Sequence, residues 1–226
     1  MPGWNIHLEA GNRIADKLKL SKGQRQIFLV GCIIPDINNG YINNPNIVKP
    51  HHETHYAYDQ KSSLNFYSEN KEKIDKKDPI YLSYLLHLYT DGFFNYNFYR
   101  NIKRHPLSTG KDEEEKRAIK HHDFWLYDTK YSHPINITPL IAEKIAKSAC
   151  KITAVEITKD DILEALAILK RSDLNDDIKN DEYIFYTKEA LDNLLEDLCE
   201  SFANDYLEEG KNAWTPGGRN NQAWAH

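Results

Sequence analysis

The chain has 226 residues and a formal net charge of −5, and 40% of its residues are hydrophobic. This length is enough to bury a sizeable core in one large domain. The acidic balance and the lack of a basic cluster argue against binding to duplex nucleic acid, and no apolar stretch is long enough and free enough of charge to span a bilayer.

The start of the chain and its cysteines narrow the class of protein further. Residues 1 to 7 have neither the cationic start nor the apolar core of a signal peptide, which predicts a cytoplasmic protein. The three cysteines, Cys32, Cys150 and Cys199, are odd in number and far apart. They form neither a CxxC metal motif nor a disulfide framework, and we expect them to be small core residues.

Residues 5 to 20 have the spacing of an amphipathic helix. His7 shares a helical face with Ile14 and Leu18, so its imidazole should point inward, either as a satisfied core histidine or as a metal ligand. Ser21 and Gln24 have the spacing of a capping box that begins a second, apolar helix. Pro35 should stop that helix, which places Asp36 at the end of a buried segment. A Pro-Asp pair is also typical of turns, and a loop rich in Asn and Pro is expected to follow to residue 50.

The segment His51-His52-Glu53-Thr54-His55 contains three imidazoles in five residues. Histidine is the commonest metal ligand, and together with His87 and Asp91 further along the chain this density favours a metal site over a solvated helix start. His51 and His55 would share one helical face, whereas His52 would point elsewhere, so the pattern leaves open which imidazole binds. We retain His52 and His55 as candidate ligands. The lysine-rich residues 60 to 78 that follow predict an exposed connector.

His87 and Asp91 stand four residues apart in a long apolar run and form the strongest signal in the chain. Asp78-Pro79 is a helix start, so residues 79 to about 101 are predicted to form one helix, apolar nearly all round and therefore buried. Positions i and i+4 lie on one face. A buried carboxylate is costly unless it is paired or binds a metal, which leaves a core hydrogen bond or a metal site as the two readings.

The remainder of the chain is predicted to be helical and largely structural. Residues 111 to about 130 form a charged helix that carries His121-His122-Asp123, and His122 and Asp123 are candidates to complete a catalytic site. Helices are also expected at 138 to 152, 158 to 169 and 187 to 207. The sequence thus predicts an all-α fold: one multi-helix domain over residues 1–209, with a metal-site part at 1–131 between buried helices, scaffold helices at 138–209, and an irregular tail at 210–226.

Trp4, His7, Pro35-Asp36, His55 and His87-x-x-x-Asp91 occur in an order that resembles the zinc-dependent phospholipase C family, whose fold is shared with single-strand nucleases. The resemblance runs from Trp4 to about residue 128. It implies that Asp36, His55, His87 and Asp91 hold one zinc ion and that Asp91 bridges to a second, which also takes His7. It further implies hydrolysis of a phosphodiester, with a phosphoester small molecule or a lipid headgroup as the substrate and Asp36 as a residue that positions or deprotonates the attacking water.

Two other hypotheses stay open at this stage. An HD-type nucleotide phosphohydrolase would use His122-Asp123 as its central ligand pair but would leave His7 and the His87/Asp91 pair unexplained. A non-catalytic helical binding protein would keep a structural metal, and the lack of the family's further HxxxE motif favours it. The sequence itself does not specify an oligomeric state.

Overall fold

The structure, a computed structural model, describes residues 2–41, 48–57, 61–172 and 182–207. Within these ranges the chain is helical, contains no strand and packs into a single domain, as the sequence predicted. A π-helical turn spans Ile37–Tyr41 and a 3₁₀ turn spans Pro106–Ser108. The α-helices are α1 (Trp4–Lys17), α2 (Lys22–Gly31), α3 (Ile34–Asp36), α4 (His51–Thr54), α5 (Ser62–Asp75), α6 (Pro79–Ile102), α7 (Glu113–Asp128), α8 (Pro139–Ala149), α9 (Lys159–Ser172) and α10 (Lys188–Tyr206).

Helix α6 is the centre of the domain. The carboxylate of Asp78 caps it by accepting from the backbone N–H of Ile80 at 3.1 Å, and Pro79 occupies its first position. Because its residues are apolar on nearly every side, α6 is contacted by α1, α2, α3, α5, α8 and α10. The predicted burial of this helix is confirmed, and it carries His87 and Asp91 into the core.

A glycine sets the crossing of α2 and α6. A Cβ atom at Gly31 would lie 1.8 Å from Oγ of Ser83 and 3.0 Å from its Cβ, so the two helices approach more closely here than a side chain permits. The capping box at Ser21 and Gln24 that begins α2 is present as predicted. The close crossing places the end of α2, and with it the carbonyl of Cys32, against α6.

Two segments expected to be irregular are helical instead. Most of residues 60 to 78 forms α5, because Phe66 and Ile74 bury completely against α6 and anchor a helix whose remaining surface is polar. Asp36 lies within α3, which continues into the π-helical turn, so Pro35 begins a helical turn here and a loop does not follow it at once. Pro at the first turn of a helix is compatible with helical geometry.

The later part of the chain is helical, as the sequence predicted. Helices α8 and α9 pack on each other, and α10 places a leucine stripe against α1 and α6. Along the described ranges, no helix is both long enough and apolar enough to cross a membrane. The predicted irregular tail at 210–226 lies outside the described residues.

Candidate metal centre

Five of the predicted ligands meet in the core between α1, α3, α6 and the end of α4. They come from four separate parts of the chain, and each side chain is nearly inaccessible to solvent, the most exposed residue being 6% accessible. Three imidazoles and two carboxylates at one buried point need a proton, a cation or both to offset their charges and lone pairs. The five residues are His7, Asp36, His55, His87 and Asp91.

Asp91 directs its two oxygens to different sides of this cluster. Its Oδ1 atom is 3.4 Å from Nε2 of His7, whereas Oδ2 is 3.4 Å from Nε2 of His55 and 3.5 Å from Nε2 of His87. Neither oxygen has a hydrogen-bond partner among the described residues. A carboxylate in this arrangement is suited to bridge two cations, one on each side.

The close crossing of α2 and α6 orients the ring of His87. The Nδ1 atom of His87 lies 2.7 Å from the carbonyl oxygen of Cys32. Because a carbonyl only accepts, Nδ1 carries the proton, and in the neutral ring the lone pair is on Nε2, which faces the cluster. A hydrogen bond from the far ring nitrogen to a carbonyl is the usual support of a metal-binding histidine.

Thr54 fixes the ring of His55 from the opposite side. The Thr54 hydroxyl donates to Oδ1 of Asn39 at 2.8 Å, and Nδ1 of His55 lies 3.0 Å from the same hydroxyl oxygen and 3.3 Å from Nδ2 of Asn39. The hydroxyl of Tyr84 donates to the Thr54 carbonyl and ties this turn to α6. His55 therefore also presents Nε2 to the cluster, 3.2 Å from Nε2 of His87.

The carboxylate of Asp36 is fixed by Trp4, a residue that the sequence analysis named only as part of the family resemblance. The indole Nε1 of Trp4 donates to Oδ2 of Asp36 at 2.9 Å, and Oδ1 lies 3.5 Å from Nε2 of His55. Oδ2 is also 3.9 Å from Nε2 of His87. Trp4 thus occupies one oxygen of Asp36, while the other faces His55 and also accepts a long hydrogen bond of 3.5 Å from Nδ2 of Asn39.

His7 is buried with both ring nitrogens outside any hydrogen bond to a described residue. Its ring stacks on His87, with centroids 3.9 Å apart and planes 9° from parallel. A fully buried imidazole with no hydrogen bond is costly. A cation between His7 and Oδ1 of Asp91 would remove that cost, which fits the inward orientation predicted for His7.

The electrostatics of the cluster favour a bound positive charge. Burial opposes the protonation of His55, but the close carboxylates of Asp36 and Asp91 outweigh it and raise the pKa of His55 to about 9. Burial works against the ionised form of Asp36, yet nearby His87 and His55 lower its pKa to about 2. The pKa of Asp91 is also well below its usual value, because three imidazoles face a buried carboxylate. Burial and the charge of His87 lower the pKa of His7.

The spacing of the ligand atoms fits a small ion with nitrogen and oxygen ligands. Two triads could hold one: His7, Asp36 and His87, and His55, His87 and Asp91. In the second triad the separations are 3.2, 3.4 and 3.5 Å. A tetrahedral zinc with bonds of about 2.1 Å has ligand atoms about 3.4 Å apart. Since His87 offers only one free nitrogen, the two triads cannot both be complete.

The two other imidazoles of the histidine-rich segment lie outside both triads. His51 stacks on His55, with ring centroids 3.8 Å apart and planes 12° from parallel. It therefore supports the position of the His55 ring. His52 is half-buried, and neither triad of described residues includes it. Of the histidines at 51, 52 and 55, His55 is the one that the structure brings to the other four residues.

His122 and Asp123 are placed elsewhere and have a structural environment. The carboxylate of Asp123 is fully buried and accepts from the backbone N–H groups of Ile184, Phe185 and Tyr186 at 2.8, 2.9 and 2.8 Å. Nδ1 of His122 lies 3.1 Å from Asp123 Oδ1. Asp123 thus anchors the segment before α10 to α7, and neither residue belongs to the metal-type triads.

Comparison with known protein families, with characterised proteins and with solved structures finds no match to this chain. The functional reading therefore depends on the cluster itself. What the fold and the site establish together is an all-α domain with a buried His/Asp group that could hold a metal ion.

Proposed function

We propose that this protein is a zinc-dependent phosphoester hydrolase that acts on phosphodiesters, as the resemblance to the phospholipase C family implies. The observation that carries the proposal is the division of the Asp91 carboxylate, with one oxygen toward His7 and the other toward His55 and His87. A bridging carboxylate capped by imidazoles is the donor set that a two-zinc phosphodiesterase needs.

The ligands divide naturally into two groups on either side of Asp91. His55, His87 and Asp91 would hold one zinc ion, with Asp36 close to the same pair of imidazoles. His7 would hold the second ion together with Asp91. Zinc bound here would supply Lewis acidity and a nucleophile at neutral pH by lowering the pKa of water. Asp36 Oδ1, positioned by the bond from Trp4 to Oδ2, would orient or deprotonate the attacking water.

The chemistry of the proposed metal ligands favours a phosphoester as the substrate. A site with two cations favours a group with several anionic oxygens, which a soluble phosphoester and a phospholipid headgroup both supply. The half-buried side of α6 that begins next to Asp91 offers the approach, because Gly92 has no side chain and a Cβ atom there would meet no other atom within 4 Å.

One observation favours a second candidate, a non-catalytic protein with a structural metal. All five ligand residues are buried, and structural zinc sites are closed, whereas catalytic ones keep an open position. The HD-type alternative receives less support, because three backbone N–H groups already occupy the Asp123 carboxylate.

Metal analysis and a phosphodiesterase assay test the proposal together. The protein is purified without chelators and without metal-affinity resin, its zinc content is measured by mass spectrometry, and hydrolysis of bis(p-nitrophenyl) phosphate is followed. We expect about two zinc ions per chain and slow turnover that stops with a chelator and returns with zinc. Asp91→Asn should remove both zinc and turnover.

The outcomes separate the candidates. Zinc at one or two ions per chain with no turnover of phosphodiesters, phosphomonoesters or phospholipids would support the structural-metal candidate instead. A folded protein that takes up no zinc would contradict both. Activity that survives Asp91→Asn but disappears in Asp123→Asn would support the HD-type phosphohydrolase hypothesis.

A further inference from the structure

Lys120 on α7 has a buried ammonium group near the cluster. The residue is only 6% accessible, whereas a lysine on a charged helix normally extends its head to solvent. Its Nζ donates to Oδ1 of Asn95 at 2.9 Å and lies 5.0 Å from the centroid of the Tyr99 ring. Both partners are on α6, so α7 directs this cation at the helix that carries Asp91.

Within the described residues, the ammonium is bonded to a neutral amide oxygen and forms no ion pair with a carboxylate. An ammonium has three protons to donate, and the bond to Asn95 uses one of them. A buried cation without a close anion is costly to the folded state. The tether to Asn95 does not require a charge, because a neutral donor would make the same hydrogen bond.

The geometry of α6 relates Lys120 to the metal ligands. Asp91, Asn95 and Tyr99 are spaced i, i+4 and i+8, so they lie in a row along one face, with successive residues about 6 Å apart along the axis. Lys120 contacts the second and third of them. Burial lowers the pKa of Lys120, and the negative charge of Asp91 opposes that effect.

One stripe of α6 between Asp91 and the partners of Lys120 is partly open to solvent. Gly92, Asn95, Tyr96 and Tyr99 follow helical i, i+3, i+4, i+7 spacing, and all four are half-buried, so this stripe of α6 reaches solvent. A Cβ atom at Gly92 would meet nothing within 4 Å. A ligand lying along this stripe would have the cluster at one end and the Lys120 ammonium at the other.

We propose that Lys120 is a substrate-binding residue, whose ammonium binds an anionic oxygen of a phosphoryl group held beside Asp91. This inference rests on the proposed function and adds a contact that the metal ligands do not supply. The ligand that fits is a phosphoryl group, because an anion with several oxygens can contact the metal ions with one oxygen and the ammonium of Lys120 with another. The bound anion would also give Lys120 a counterion, which no described carboxylate supplies.

Binding of inorganic phosphate to the zinc-loaded full-length chain tests the proposal by titration calorimetry. The variants are Lys120→Gln and, as a control on the same helix, Lys116→Gln, whose lysine pairs with Glu113 at 3.0 Å. We expect Lys120→Gln to keep its zinc and to bind phosphate about tenfold more weakly or worse, and Lys116→Gln to match the wild type. Equal phosphate affinity in wild type and Lys120→Gln would overturn the proposal.

A second variant tests whether the protein needs the charge of Lys120 in order to fold. Lys120→Met keeps the length and apolar packing but removes the charge, so the zinc-free protein should melt no lower than the wild type. Failure of both Lys120→Gln and Lys120→Met to fold would assign Lys120 a structural role and overturn the proposal. A wild type that takes up no zinc would instead overturn the metal centre, and the substrate contact with it.

Competition then identifies the source of the phosphoryl group. Dimethyl phosphate represents a soluble phosphodiester, and phosphatidylcholine vesicles present the same group in a lipid headgroup. Displacement of bound phosphate by either one supports the proposal and names the source. Displacement by neither would overturn the assignment of a phosphodiester to this site.

Discussion

The Nε2 atoms of His55 and His87 face each other at 3.2 Å. Nδ1 of each ring is turned away from the cluster, toward Thr54 and Asn39 in His55 and toward the carbonyl of Cys32 in His87. Two neutral rings that both carried their proton on Nδ1 would oppose two lone pairs at contact distance, which is repulsive. Only a proton or a metal cation between them makes the arrangement favourable, and the two alternatives lead to measurable differences.

Zinc should stabilise the wild type and leave Asp91→Asn nearly unaffected. A ligand at about 100 times its dissociation constant stabilises a protein by about 2.7 kcal/mol, which raises the melting temperature of a chain of this size by roughly 5 to 10 °C. Removing the bridging charge should abolish that shift. Differential scanning calorimetry with and without zinc measures it.

Asp161→Asn is the matched control for that experiment. Asp161 is also buried, but its carboxylate accepts from the backbone N–H of Thr158 at 2.7 Å and from its hydroxyl at 2.8 Å, and it is in neither triad. The variant should melt lower and still show the full zinc shift. An undiminished shift in Asp91→Asn would mean that Asp91 is a core hydrogen-bond partner only.

The zinc-free protein should lose stability as the pH rises from 7 to 10. The folded state raises the pKa of His55 from 6.5 to about 9, because two carboxylates outweigh burial. A raised pKa contributes stability that is complete below pH 6.5 and is lost as the pH rises through about 9. The loss should be on the order of 3 kcal/mol, measured by urea unfolding in the presence of a chelator.

Zinc binding should release the proton that His55 carries in the zinc-free protein. At pH 7.5 zinc must displace the proton of His55, so calorimetric titrations in buffers of different ionisation enthalpy should report about one released proton per chain. The released fraction should decline above pH 9. Proton release that is absent at pH 7.5 would show that His55 holds no extra proton in the zinc-free cluster.

Asp123→Ala should damage the fold and leave the metal site intact. The substitution leaves the N–H groups of Ile184, Phe185 and Tyr186 without their acceptor, and we expect a loss of about 3 kcal/mol or more in the free energy of unfolding. Zinc content per folded chain should not change. His122→Ala, at the half-buried neighbour, should cost less than about 1 kcal/mol. Loss of zinc in either variant would argue for a second metal position on α7.

Two glycines on neighbouring helices should respond oppositely to alanine. Gly31→Ala places a Cβ atom 1.8 Å from Ser83 Oγ, forces α2 away from α6 and should destabilise the protein by about 1 to 3 kcal/mol. Gly92→Ala meets no atom within 4 Å and should stabilise α6 by about 0.5 to 1 kcal/mol. Chemical denaturation of both variants checks the pair. Similar effects at both positions would contradict the close crossing of α2 and α6.

The sequence marked the residues that meet in the cluster through local patterns. His87 and Asp91 share a helix whose period places them on one face, and His7 lies on the apolar face of an amphipathic helix. The same reasoning was wrong for residues 60 to 78, where lysines suggested an exposed connector. There, two apolar residues, Phe66 and Ile74, are enough to fix a helix, because α6 supplies the surface that buries them.

The sequence could not indicate the groups that support the ligands. The carbonyl of Cys32 is invisible to any residue pattern, and its place beside His87 follows from the α2–α6 crossing. The roles of Thr54 and Lys120 likewise depend on which helices pack together. His122-Asp123 resembles a metal-binding dipeptide in sequence. In the fold, however, the Asp123 carboxylate accepts hydrogen bonds from backbone N–H groups of the segment before α10.

Trp4→Phe should weaken zinc binding and leave the fold intact. The indole N–H fixes Oδ2 of Asp36 at 2.9 Å, and losing an outer hydrogen bond to a metal ligand typically reduces metal affinity by about 10- to 100-fold. Phenylalanine keeps most of the apolar packing of the ring, so the zinc-free melting temperature should change little. Trp125→Phe is the control, because Trp125 is 59% exposed. Competition with a zinc-binding dye measures both affinities. Equal zinc affinities in Trp4→Phe, Trp125→Phe and the wild type would mean either that Asp36 binds zinc without help from Trp4 or that Asp36 is not a ligand. The variant Asp36→Asn separates these two cases, because it should lower zinc affinity only if Asp36 binds the metal.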